Sequence, residues 1–217
     1  MNYIILSVSL PLLAGLVYFE KKESVKGILC TKPLLSLLFI IMAAIQTHNN
    51  VNYFYIILAG LIFCFIGDVC LILFFNQKIF KAGLAAFLIG HIIYSAAFFR
   101  RVDSFLTMTA AAAIFIIAGT VIFMKLKPHL KGMIKPVIAY ITIISIMAFS
   151  AFSLRQSGAQ TVLAGNMVLA AALIFYISDI FVARHRFVRK RFINRAIGLP
   201  MYYTAQFMIA VSTGIVI

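Results

Sequence analysis

Two aspartates stand inside stretches that otherwise read as membrane-spanning helix: Asp68 in FCFIGDVCLILFF, residues 63–75, and Asp179 in ALIFYISDIFVA, residues 172–183. An Asp at the centre of such a helix costs roughly 3 kcal/mol on insertion scales, so an intramembrane acid marks a site or a pathway more often than it serves packing. The chain holds only five acidic residues, and two of them are placed this way. Two carboxyls in different surroundings can divide acid–base work. One is kept neutral by burial and gives a proton; the other is kept ionised by a cation such as Lys32 and takes a proton or stabilises positive charge. On that reasoning Asp68, among Phe65, Leu71 and Ile72, is expected to be the donor, and Asp179, nearer the arginines that follow it, the carboxylate.

Other polar residues gather at the same depth. Counting 1.5 Å per residue, Asp68 lies roughly 10 Å and Asp179 roughly 7 Å from the end of its apolar run, with His91 and Gln206 at about 12–15 Å. Lys32, Tyr140 and Tyr202 fall near the same ends of their runs. Spacing of three or four residues puts His91, Tyr94 and Ser95 on one helix face and Tyr202 or Tyr203 with Gln206 on another. For Tyr94, Ser95 and Tyr203, hydrogen bonds between helices are an equally good explanation. A multi-histidine zinc site is disfavoured, because His48, His129 and His185 fall in loops and leave His91 alone. No G-x-S-x-G elbow occurs, and two deep carboxylates are too few for a magnesium phosphotransferase. Cys30, Cys64 and Cys70 show no ligand spacing and read as small buried hydrophobes.

The elements that must position these residues follow from hydropathy. With 64% hydrophobic and 11% charged residues and a mean hydropathy of +1.09, the chain has too little polar surface to clothe a soluble globule of 217 residues. It reads as one integral membrane domain, 1–217, all-α. Apolar runs of the length a bilayer demands fall at 3–19, 28–46, 53–75, 82–99, 105–124, 136–153, 162–183 and 198–217, giving an eight-helix polytopic bundle. The first run lacks a basic n-region and an A-x-A-like cleavage site, and reads as a helix instead of a removed signal. Of 19 Lys and Arg residues, all but Arg100, Arg101 and Arg155 fall on one side when loops alternate. That bias places both termini outside and the basic loops, with the cavity mouth, in the cytoplasm. The net charge of +14 therefore reports topology, and no nucleic-acid partner is expected.

An internal repeat runs through this plan. TKPLLSLLFIIMA opens the second run and IKPVIAYITIISIMA the sixth, with proline in the first turn of each. The third and seventh runs carry Asp68 and Asp179, and twenty-three residues beyond each acid stands a polar aromatic, His91 and Tyr202. Four helices per half would form a parallel repeat about an axis along the membrane normal, bringing the two acids toward one cavity.

The segments GDVCLILF, FKAGLAAFLIGHIIYSAAF, YISDIFVARHRF and MYYTAQFMIA, with the early Lys32-Pro33, resemble the YhhN-like lysoplasmalogenase family of eight-helix membrane hydrolases over nearly the whole chain. The resemblance implies hydrolysis of the vinyl ether bond of a lysoplasmalogen, an alkenyl glycerophosphoethanolamine or glycerophosphocholine, to a fatty aldehyde and a glycerophospho head group. It implies Asp68 and Asp179 as the catalytic acids, and His91, Tyr94, Tyr203 and Gln206 as matching polar positions. Lys32, Tyr140 and Tyr202 join the substrate-binding set from depth. Protonation of the alkene carbon gives an oxocarbenium-like species that water attacks, much as glycosidases divide labour between two carboxyls; neither metal nor other cofactor is required. The partners implied are a lysophospholipid substrate and membrane lipids in the cell membrane. Paired half-repeats with intramembrane acids also fit a proton-coupled transporter of a lipid-like solute, and a cavity open to one side only would favour the enzyme. For the topology, a cysteine at Asn50 in a chain freed of native cysteines is expected to label with an impermeant thiol reagent in intact cells, and one at Arg189 is not. Labelling of the second alone would reverse the orientation.

Overall fold

Polar residues at the connections set where the helices begin. Ser24, Asn50, Asn76 and Thr161 each accept a backbone N–H of the following first turn, as at Asn50 Oδ1 with Tyr53 N, 2.9 Å. In the computed structural model, which describes residues 1–73, 76–102, 109–158 and 160–217, eight α-helices follow. They are α1 (Asn2–Lys21), α2 (Val25–Ala44), α3 (Val51–Ile72), α4 (Gln77–Phe99), α5 (Thr109–Leu126), α6 (Ile134–Gln156), α7 (Val162–Ala183) and α8 (Phe192–Ser212). A 3₁₀ turn, Lys127–His129, follows α5, and a π-helical turn, Arg184–Val188, extends α7. The expected fifth run begins at 105 and the third ends at 75; residues 105–108, 74 and 75 lie outside the described residues. The cap at Asn50 makes neighbouring Thr47, which is exposed, the gentler site for the labelling cysteine.

Helices α2, α4 and α8 start three, five and six residues ahead of the hydropathy runs. Helix α2 begins at Val25, so Lys32 is buried two turns inside it and is not a loop cation, and Pro33 is an interior proline instead of a first-turn one. Helix α8 begins at Phe192, so Asn194 and Arg195 belong to its first turn. Among the described residues seven helices are long and apolar enough to cross a membrane. The eighth, α8, is of similar length but carries Arg195, Tyr202, Tyr203 and Gln206, and those side chains turn inward. The chain is an all-α, multi-pass membrane protein whose outer faces are apolar, as with Ile4 and Leu10 on α1 or Ile114 and Ile117 on α5.

The packing has an interval of four helices. Helix α3 lies on α4 as α7 lies on α8, α2 touches α8 as α6 touches α4, and α1–α2 and α2–α3 correspond to α5–α6 and α6–α7. The α3–α4 seam is built on glycine. Gly67 and Gly83 face each other, as do Gly60 and Gly90: an added Cβ at Gly83 would lie 3.3 Å from Gly67 O, and one at Gly90 3.2 Å from Gly60 O. Small residues at these levels let two backbones approach closely, which is the main attraction between helices in lipid. Tyr94 and Phe87 of α4 then lie flat over Gly60 and Gly67. Gly60→Ala would drive its methyl into the buried Tyr94 ring and is expected to lower stability by about 1–3 kcal/mol. Gly15→Ala, whose Cβ would meet Thr31 Cγ2 at an ordinary 3.6 Å, should be neutral or slightly stabilising. Thermal unfolding of the two variants in detergent compares them; equal stability would remove the close seam.

Candidate functional site

The two acids have opposite surroundings. Asp68, one residue past Gly67 on α3, is 1% exposed and its two oxygens are fully engaged. Lys32 Nζ of α2 meets Oδ1 at 3.0 Å, while Ser36 and Tyr202 donate their hydroxyls to Oδ2 at 2.7 and 2.6 Å. Lys32 and Ser36 are one turn apart on α2, so a single helix face presents both. A buried carboxylate with a lysine and two hydroxyl donors is an ion held in place. Tyr202 is fixed in turn by Gln206 Nε2, 3.1 Å from its hydroxyl, and Gln206 Oε1 accepts from Tyr94 at 2.9 Å. Tyr203 packs on the far side, its hydroxyl 3.1 Å from Ser36 Oγ and 3.4 Å from Lys32 O. Four helices, α2, α3, α4 and α8, are thus joined by one polar chain.

Asp179 of α7 is only half-buried. Tyr140 of α6 donates to its Oδ2 at 2.6 Å, and among the described residues no cation pairs with it. Lys135, the counterpart of Lys32 in the Lys-Pro repeat, is exposed at the start of α6. The lysine expected to serve the carboxylate stands on Asp68, the acid expected to be the donor, and Asp179 is the acid without a counter-charge among the described residues.

Both acids line one cavity of about 110 Å³, room for a reacting group and several waters. Lys32, Tyr140 and Tyr202 line it with them, and its walls are apolar, including Leu71, Phe80, Phe87, Ile144 and Leu199. Its lining comes from the halves of the helices that adjoin the basic connections α3–α4, α5–α6 and α7–α8. Toward the other end the bundle is closed by buried side chains such as Phe98, Met147 and Leu154, and by the Tyr53–Ser212 bond of 2.8 Å.

His91, Tyr94, Tyr203 and Gln206 do not line this cavity. The last three form the polar chain behind Asp68. His91 is fully buried, with neither ring nitrogen hydrogen-bonded among the described residues, and it is caged edge-on by Phe175 at 4.6 Å and Tyr140 at 5.4 Å between ring centroids. Ser36 and Arg195 were not singled out from the sequence, whereas Arg186, with Arg184 and Arg189, stood there as a loop arginine that could meet a phosphate but more readily serves topology. Ser36 is readable as Lys32 plus four on one helix face. The arginines hide among basic residues whose bulk sets topology.

The YhhN family model matches residues 27–213. Lysoplasmalogenase TMEM86A of Bos taurus is 31% identical over 171 residues, covering 76% of this chain and 67% of that protein. The Homo sapiens protein of the same name is 32% identical over 161 residues, covering 72% and 64%. The chain thus spans about two thirds of the length of these relatives. No solved structure matches it.

The ion pair can be tested by a double-mutant cycle. Lys32→Met strands a buried carboxylate and is expected to cost about 3–5 kcal/mol, whereas Lys32→Met with Asp68→Asn should recover much of that loss. Thermal unfolding in detergent measures it, and additive losses would show that the two charges do not depend on each other.

Proposed function

The chain belongs to the YhhN family, and from that footing we propose that it is a lysoplasmalogenase, an ether hydrolase that cleaves the vinyl ether bond of a lysophospholipid within the membrane. The observation that carries the reading is two carboxyls of opposite electrostatic setting on one apolar-walled cavity. Asp179 is the acid. Tyr140 occupies its Oδ2, leaving Oδ1 to hold a proton and deliver it to the alkene carbon remote from the ether oxygen. Positive charge then develops on the carbon bonded to that oxygen. Asp68, kept ionised by Lys32, supplies the negative charge that stabilises this oxocarbenium ion, transmitted through Tyr202 on the cavity wall. Water adds to the cationic carbon and returns its proton to the carboxylate of Asp179. The resulting hemiacetal collapses, its hydroxyl proton passing to the departing glycerol oxygen, to give aldehyde and a glycerophospho alcohol.

The apolar walls suit the alkenyl chain, and a lining confined to one end of the bundle supports a hydrolase over a carrier, which would need access from both sides. His91, Tyr94, Tyr203 and Gln206 are positioning residues: they fix Tyr202, Tyr140 and the lysine helix. Orientation belongs to the same proposal, with the basic end and the cavity mouth in the cytoplasm and both termini outside.

Purified protein incubated with lysoplasmalogen is expected to release fatty aldehyde, and none from a saturated lysophospholipid of the same head group. Asp179→Asn removes the proton and should lower turnover by about 10²–10⁴-fold. Asp68→Asn keeps the size of the side chain but loses the charge and one acceptor oxygen, leaving Lys32 unpaired, and should lower turnover at least about tenfold. Monodisperse elution in detergent checks folding. A folded Asp179→Asn protein with near wild-type turnover would show that Asp179 is not the acid.

A further inference from the structure

Beyond the two acids, the cavity carries two more charged side chains that the hydrolysis step leaves unused: Arg186 on the π-helical turn and Arg195 in the first turn of α8. The π turn is closed by a bond from Arg189 N to Arg184 O, 2.9 Å, and single π turns are frequent at functional sites. It is held from α8 by Asn194, whose Nδ2 donates to Arg189 O at 3.1 Å. Arg186 has no acidic partner among the described residues; its guanidinium lies over the Phe80 ring, 4.2 Å from the centroid, which leaves its N–H edge free for an anion. Arg195 is mostly buried. Its Nε sits 3.5 Å from Glu20 Oε2, yet it makes no hydrogen bond among the described residues, so a buried donor is left without an acceptor there.

The charges do not balance. Lys32 offsets Asp68, Arg195 offsets Glu20, and with Asp179 protonated for its role as acid, Arg186 remains as one uncompensated positive charge on the cavity. A single phosphodiester would neutralise it. The spacing agrees. Arg186 stands seven residues beyond Asp179 on one continuous helix, roughly 10 Å along the axis, a separation comparable with that between the vinyl ether and the phosphate across the three carbons of glycerol.

We propose that Arg186 and Arg195 form the phosphate subsite of this cavity, which holds the phosphodiester of a lysophospholipid at the basic end and so sets how far the vinyl ether reaches toward Asp179. This rests on the hydrolase reading for its substrate, but the subsite can be tested without turnover. Purified protein would be titrated with a saturated lysophosphatidylethanolamine and with a monoacylglycerol of the same chain. Wild type is expected to bind the phosphate-bearing lipid about tenfold or more tightly, the worth of a charge-assisted bond, and Arg186→Gln should erase most of that preference. Arg195→Lys, which keeps a charge against Glu20 but loses the planar fork, should erase part of it while folding normally. Arg189→Gln, on an exposed residue away from the cavity, should bind both lipids as wild type does. Equal losses for both lipids, or an unchanged preference in Arg186→Gln, would overturn the subsite. Inorganic phosphate binding as tightly as the lysolipid would overturn it in favour of a free-anion site. If wild type shows the preference yet releases no aldehyde from lysoplasmalogen, the hydrolase reading fails and the subsite stands.

Discussion

The Lys32–Asp68 pair is the constraint around which this bundle is arranged. Neither charge is tolerable alone in a membrane interior, and bringing them to 3.0 Å ties α2 to α3 at one level. Everything around the pair serves to satisfy what it leaves over. Asp68 has a second oxygen, and Ser36 and Tyr202 fill it; Tyr202 has lone pairs of its own, and Gln206 and then Tyr94 complete the chain. The polarity of α8 has the same origin. A helix that supplies Tyr202, Tyr203 and Gln206 to a buried ion pair cannot also be as apolar as a helix facing lipid, and its burial among neighbours makes the exchange possible.

The two halves of the molecule share a plan and differ in charge. In each, the helix that carries the Lys-Pro pair donates a hydroxyl to the acid on the next helix: Ser36 to Asp68, Tyr140 to Asp179. The difference lies in register. Helix α2 starts eight residues ahead of Pro33 and α6 only two ahead of Pro136, so one lysine is carried into the interior and the other stays at the surface. A short extension at one helix start thus gives two related carboxyls different partners, a lysine for one and none for the other among the described residues, with no change in the acids themselves.

Much of the fold was legible because lipid imposes a length: eight runs of apolar residues became eight helices. What misled the reading were cations inside helices. Lys32 looks like the last cation at the mouth of its run and Arg195 like a loop residue in a hydropathy profile, and only the partner across the interface, Asp68 or Glu20, makes their inward placement affordable. The depth filter selected Asp68, Asp179, Tyr140, Tyr202 and Lys32, all of which line the cavity, because depth is a one-dimensional property that a chain position encodes. Rotation about the helix axis is not encoded so directly. His91, Tyr94, Tyr203 and Gln206 share the depth but face other neighbours, and which acid meets the lysine was decided by a contact between residues 36 apart in sequence.

The glycine seam between α3 and α4 has a mechanical meaning. Two backbones in contact at successive levels cannot slide or part without losing several close contacts together, so α3 and α4 move as one stiff post with Asp68 fixed to it. Helix α5 is the opposite case, leaning chiefly on α6 and on the turns at the basic end, with much of its surface turned outward. Stiffness is therefore unevenly distributed around the cavity, and breathing that widens it falls on α5, which supplies Ile122 and Leu126 to the lining and no partner to either acid among the described residues.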